Sequence, residues 1–242
     1  MPSAVAHTRV RLVALLLLLA VAAPAALAAA RYPKYWAWIA LEGTPMTWLQ
    51  TVLLVLAAAA AAVIALIGRL RSWPRTARWP YAALSPAFVC VALDDRFGLH
   101  ERLSERVLGP HGVRPPGLTF LAPGDIPLVL MAGAGLLVLP FILRALRTDR
   151  LALVLFALGA LTAAVSVWMG SIDPSTVPID VERFERTAEE CLELLADCFV
   201  LAALGVRLLG LLGEAAWPEP RASATTSSVP GSEPIGVHAT TH

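Results

Sequence analysis

Six long apolar runs constrain this chain before anything else does. They cover approximately residues 12–30, 46–70, 80–93, 126–146, 151–172 and 191–212. A membrane-spanning helix needs about 20 predominantly apolar residues, with roughly 17 as the lower end. The third run reaches that length only if its helix continues through Asp94 toward residue 100. The sixth takes in the acidic residues just before it. Helices are therefore expected near 12–30, 46–70, 80–100, 126–146, 151–172 and 188–212. Charged residues make up 15% of the 242, where a soluble domain would carry about 25%. The expected fold class is all-α: a polytopic transmembrane helix bundle over 1–216, followed by a disordered cytoplasmic tail over 217–242. That tail is rich in Pro, Ser, Thr, Ala and Gly and has no apolar period.

The first run has two readings. Arg9 and Arg11, an apolar stretch and Ala26-Leu27-Ala28 after Pro24 also describe a secretory signal with a small-residue cleavage site. The run is long enough to span, so the count is six helices if it is retained and five if it is cleaved. Both outcomes deliver Arg31 to the outer side.

Basic residues set the orientation. With the N-terminus inside, the inner pieces hold 11 basic residues and four acids, and the outer pieces eight basic residues and 14 acids. The short loops around Arg69–Arg78 and Arg144–Arg150 carry most of the inner charge. The C-terminus is then cytoplasmic. A formal net charge of +1 gives no hint of a nucleic-acid partner, which leaves the lipid bilayer as the expected partner. All but one of the 19 basic residues are Arg, a bias expected of an Ala/Arg/Pro-rich genome. Cys90, Cys191 and Cys198 lie in apolar runs without zinc-site spacing and read as small core residues.

The acids are the unusual feature, because carboxylates among membrane helices are costly unless paired, hydrated or ion-bound. In LDDRFGLHE, Asp94 and Glu101 are seven residues apart and share a face if one helix carries both, with His100 flanking and Asp95 on another side. In EECLELLAD, Glu190, Glu193 and Asp197 follow i, i+3, i+7 spacing, with Glu189 beside Glu193. Glu42 precedes the second run on the same outer side. The bland alternatives are a solvated helix end for the first motif and an acidic helix N-terminus for Glu189 and Glu190. The second explains Asp197 poorly, since it lies about two turns inside an apolar segment. Trp36, Trp38 and Trp48 fit an interfacial aromatic belt.

Three motifs resemble those of a group of uncharacterised bacterial polytopic membrane proteins. These carry E-D-G-x-x-E-W-L before a membrane helix, L-D-E with a downstream H-E, and E-E-x-x-E at the last helix. The matching residues are Glu42, Trp48 and Leu49; Leu93, Asp94, His100 and Glu101; and Glu189, Glu190 and Glu193. Gly43, Thr44 and Thr47 depart from the first motif and Asp95 from the second. The resemblance implies the bacterial cytoplasmic membrane and no activity.

An outward-facing carboxylate-rich site is the resulting expectation. Asp94, His100, Glu101, Glu190 and Glu193 are the candidate ligands of a divalent cation, with Asp197, Glu42, Asp95 and Glu189 as further polar core. Such a set favours calcium, magnesium or manganese over zinc. No Glu-x-x-His occurs, and the histidine cluster of membrane hydrolases that depend on several transmembrane His is missing. Three functions stay open: a cation- or ligand-binding membrane protein, a membrane-embedded metal-dependent hydrolase, and a small ion- or proton-coupled transporter.

Overall fold

The computed structural model describes residues 3–41, 43–103, 106, 125–170 and 178–216. Among these the chain is all-helical. The elements are α1 (Ser3–Ala30), a 3-10 turn (Tyr35–Trp38), α2 (Pro45–Leu70), α3 (Arg75–Phe97), the short α4 (Leu99–Leu103), α5 (Asp125–Leu146), α6 (Arg150–Gly170) and α7 (Ile179–Ala216). Among the described residues, α1, α2, α6 and α7 are each long and apolar enough to cross a membrane. The fold is a transmembrane helix bundle, with six long helices among the described residues. Glu42 and the tail over 217–242 lie outside the described residues.

The helix ends follow from local chemistry. Pro45 opens α2 at its first turn, where a missing N–H costs nothing. Pro74 precedes α3. Asp149 caps α6, its Oδ1 accepting from the Ala152 N–H at 3.3 Å. α3 does not run on to residue 100 as its sequence suggested. Gly98 adopts a left-handed conformation (φ 54°, ψ 45°), and its N–H closes onto the Asp94 carbonyl at 2.7 Å. That is the geometry of a glycine helix stop. Asp94 and Glu101 therefore sit on different helices, and the seven-residue argument for a shared face fails there.

At 38 residues, α7 is the longest helix. It spans roughly 57 Å at 1.5 Å per residue, well beyond a hydrocarbon core of about 30 Å. Its acidic first turns extend past the apolar part that begins near Cys191. α7 is also the hub of the bundle: α1, α2 and α6 pack along it, and α3 packs along α2. α5 packs more lightly, against the flanks of α3 and α6 and the short α4.

Without a hydrophobic drive between helices in lipid, close approach depends on small residues. Gly159 of α6 lies against α7 so closely that a Cβ there would stand 2.9 Å from Val200 Cγ2 and 3.2 Å from the Ala196 carbonyl. Gly205 receives Leu12 of α1, and Gly213 receives Val5. Ala57, Ala58 and Ala61 of α2 and Ala202 and Ala203 of α7 are buried. Val10, Leu15, Leu18 and Val21 of α1 are exposed on the bundle surface, where the bilayer would cover them.

Candidate functional site

Four helices contribute to a polar patch in the half of the bundle that holds the start of α2 and the end of α3. α7 supplies Glu189, Glu190, Glu193 and Asp197. On an α-helix the last three occupy one stripe, with Asp197 roughly 10 Å further along the axis than Glu190. α2 faces this stripe with Gln50, which is 2% exposed. The Gln50 Nε2 donates to Glu190 Oε2 at 3.0 Å and to the Glu190 carbonyl at 3.2 Å. One residue on, the Thr51 hydroxyl donates to Asp95 Oδ2 at 3.1 Å and to the Thr47 carbonyl at 2.8 Å. From the other side, the Ser166 hydroxyl of α6 lies 3.3 Å from Glu193 Oε1 and 3.4 Å from the Glu189 carbonyl.

The acids form one electrostatic unit. Glu190 and Glu193 lie within range of each other and of Asp95, and Asp197 feels Glu193, Asp95 and Glu190. α3 thus reaches the α7 stripe through Asp95. Asp94, its neighbour in the chain, is buried at 9% exposure. Among the described residues, the direct hydrogen-bond partners of Asp95, Glu190 and Glu193 are neutral: Thr51, Gln50 and Ser166. Arg96 lies within electrostatic range of Asp95, and Arg186 of Glu189. Arg186 itself pairs with Glu182 at 3.2 Å. Like charges grouped in low dielectric repel strongly unless a proton or cation offsets them.

Of the expected divalent-ion ligands, Asp94, Glu190 and Glu193 have described side chains. Those of His100 and Glu101, on α4, lie outside the described residues. Among the described residues no three His, Cys, Asp or Glu side chains group to hold one ion. The acids instead succeed one another along α7, one rung per turn. Gln50, Thr51 and Ser166 were not singled out in the sequence. Their signal is visible in retrospect: Gln50 and Ser166 are isolated polar residues inside apolar runs.

The Gln50 Oε1 is buried and has no hydrogen-bond partner among the described residues. An acceptor left unmet in a dry site costs about 1–3 kcal/mol. It sits on the same amide that holds Glu190, so the site offers a carbonyl-type oxygen as well as carboxylates to a positively charged occupant.

Aromatic residues frame the same end of the bundle. Arg31 stacks on Trp38 at 4.8 Å and Arg183 on Trp36 at 4.8 Å. The first contact ties the end of α1 to the 3-10 turn, and the second ties that turn to the extramembrane start of α7.

No curated protein and no solved structure matches the chain. A family described only as a domain of unknown function, DUF8692, matches residues 5–208, from the first turns of α1 to the C-terminal third of α7 and across every residue of the site. On that match the chain belongs to the DUF8692 family, whose description carries no activity.

Proposed function

We propose that this membrane protein binds a cation, a proton or a small metal cation, on the stripe of Glu190, Glu193 and Asp197, with Asp95 and Gln50 completing the site from α3 and α2. The observation that carries the reading is the partnering. Glu190, Glu193 and Asp95 accept from neutral donors, and the stripe continues from them to Asp197 in the apolar part of α7. Intramembrane acids of this kind mark ion pathways and proton relays. The graded depth favours an ion- or proton-coupled transporter over a single-metal hydrolase, because a hydrolytic metal needs its ligands converged on one point. The proposed setting is the bacterial cytoplasmic membrane, with both termini inside and the site facing out, as the arginine-rich loops direct.

The test is thermal unfolding of the purified protein in detergent, titrated with acid, sodium, calcium, magnesium and manganese. It is paired with proton and cation flux in reconstituted vesicles. At least one cation is expected to stabilise the wild type, and Asp197→Asn to remove the flux. A protein indifferent to every cation, with no flux, would rule the proposal out.

A further inference from the structure

The polar patch is short of hydrogens. The Thr51 hydroxyl carries one proton, yet it stands 2.8 Å from the Thr47 carbonyl and 3.1 Å from Asp95 Oδ2. The Ser166 hydroxyl is placed in the same way, 3.4 Å from the Glu189 carbonyl and 3.3 Å from Glu193 Oε1. A backbone carbonyl can only accept, and so can an ionised carboxylate. Each hydroxyl therefore faces two acceptors with a single proton to give.

Gln50 repeats the shortage in another form. Its Nε2 has two protons for two acceptors, Glu190 Oε2 at 3.0 Å and the Glu190 carbonyl at 3.2 Å. Turned over, the amide would set its oxygen against both, so the network fixes which way it points. Oε1 is the atom left over, buried and without a partner among the described residues, on a side chain 2% exposed. Nitrogen and oxygen share one carbon, which keeps Oε1 within about 5 Å of Glu190 Oε2.

One proton on each acid removes the shortage with no other group added. Asp95 then donates to Thr51 Oγ1, and the Thr51 proton is free for the Thr47 carbonyl. Glu193 does the same at Ser166 and the Glu189 carbonyl. Glu190 gains the O–H that Gln50 Oε1 can accept, as an acid and an amide pair through two hydrogen bonds. The surrounding charges favour the same outcome. Asp94 and Arg96 of α3 and Arg186, Glu189, Cys191 and Asp197 of α7 are the titratable and charged groups in range, while α2 and α6 present Gln50, Thr51 and Ser166. Acids outnumber cations in that set, so ionising all three carboxyls would add to the repulsion. Arg207, the buried arginine of α7, is engaged elsewhere: it lies 5.5 Å over the Trp73 ring, ten residues or roughly 15 Å beyond Asp197. Among the described residues no three His, Cys, Asp or Glu side chains converge as a metal ion would ask.

We infer that the cation held by this patch is the proton, carried on Asp95, Glu190 and Glu193 and donated to Thr51, Gln50 and Ser166. This rests on the cation reading above and names its occupant. Gln50, Thr51 and Ser166 are positioning residues: each turns from donor to acceptor as its acid gains a proton. Proton uptake is thereby felt on α2, α3, α6 and α7 together.

Infrared spectroscopy of the purified protein tests this through the carbonyl stretch of protonated carboxyl groups, identified by its shift in deuterium oxide. The wild type is expected to show that band at neutral pH and to lose it in alkali. Asp95→Asn, Glu190→Gln and Glu193→Gln should each remove part of the band while keeping the fold, because the new amide N–H replaces the acid O–H. Thr51→Val, Ser166→Ala and Gln50→Leu should each shift part of it to higher frequency, as a carboxyl loses the acceptor of its proton; a merely structural role would leave the frequency unmoved. The wild-type band needs no variant, so the inference can fail even if some of these do not fold. Sodium, calcium, magnesium or manganese added at constant pH should leave the band in place. If one of these ions abolishes it, the occupant is that ion; the proton assignment is then overturned and the cation reading stands. With neither a band at neutral pH nor a response to any ion, both fall.

Discussion

Gln50 of α2 holds Glu190 of α7 through a single amide, donating to the carboxylate at 3.0 Å and to the backbone carbonyl at 3.2 Å. The two residues are 140 positions apart, so this contact fixes the register between two helices that both run through the core. Gln50→Leu should leave the Glu190 carboxylate without its donor and lower stability by about 1–3 kcal/mol. Gln50→Glu should cost more, because it adds a carboxylate to a cluster that already repels itself. Thermal unfolding in detergent checks both, and a Gln50→Leu midpoint equal to that of the wild type would show that the contact contributes nothing.

Two glycine positions in α5 and one in α6 should respond in opposite ways. A Cβ at Gly159 meets the Ala196 carbonyl at 3.2 Å and Phe199 Cβ at 3.2 Å, atoms that sit on or next to the backbone and cannot swing aside. Gly159→Ala should separate α6 from α7 and destabilise by about 1–3 kcal/mol. At Gly133 and Gly135 nothing stands within 4 Å of an added Cβ. Ala at either should be neutral or stabilise by up to about 1 kcal/mol through helix propensity alone. Equal effects at all three sites would mean that α6 and α7 are not packed as described.

The helix count and most boundaries were legible in the sequence because apolar length is a direct consequence of bilayer thickness. The break at Gly98 was harder to see, since glycine inside a membrane helix is common and only its left-handed backbone marks a stop. α7 starts about nine residues before the expected helix start at 188. Its first turns are held by i, i+4 pairing such as Arg186–Glu182 and by Arg183 on Trp36, which hydropathy does not register. At the site, the i, i+3, i+7 stripe on α7 could be read from spacing. Which aspartate of α3 meets it could not, because that depends on how α3 is rotated against α2, a matter decided by Thr51 and by packing over the whole interface. Gln50, Ser166 and Arg207 were visible as lone polar residues in apolar runs, but their partners are on other helices and no local pattern names them.

The first helix has the sequence of a possible signal peptide and the packing of a structural element. Leu16 and Ala20 are buried, Leu12 and Val5 fill the notches at Gly205 and Gly213, and Arg9 pairs with Asp149. The family match also takes in this helix from residue 5. Cleavage after Ala28 would remove every one of these contacts. The protein purified from membranes should therefore contain α1, as intact mass and N-terminal sequencing would show. Gly205→Leu, which forces Leu12 away, should lower stability by about 1–3 kcal/mol. A mature N-terminus near residue 29 would contradict this.

Depth along α7 makes the last prediction. Glu190 lies near the start of the apolar segment, Glu193 one turn further and Asp197 a second turn, roughly 10 Å in all. A water-soluble carbodiimide should reach Glu190 most readily, whereas a lipid-soluble one should favour Asp197. Peptide mass spectrometry after brief exposure separates the two patterns, since each adduct stays on the carboxyl that reacted. A cation that occupies the stripe should slow modification at Asp197, and the effect should be lost in Gln50→Leu if the buried amide oxygen contributes to holding it. Equal reactivity of Glu190 and Asp197 toward both reagents would mean that the stripe is uniformly wet. It would then be an acidic helix face in water, and the outer half of α7 could not serve as a path into the bundle.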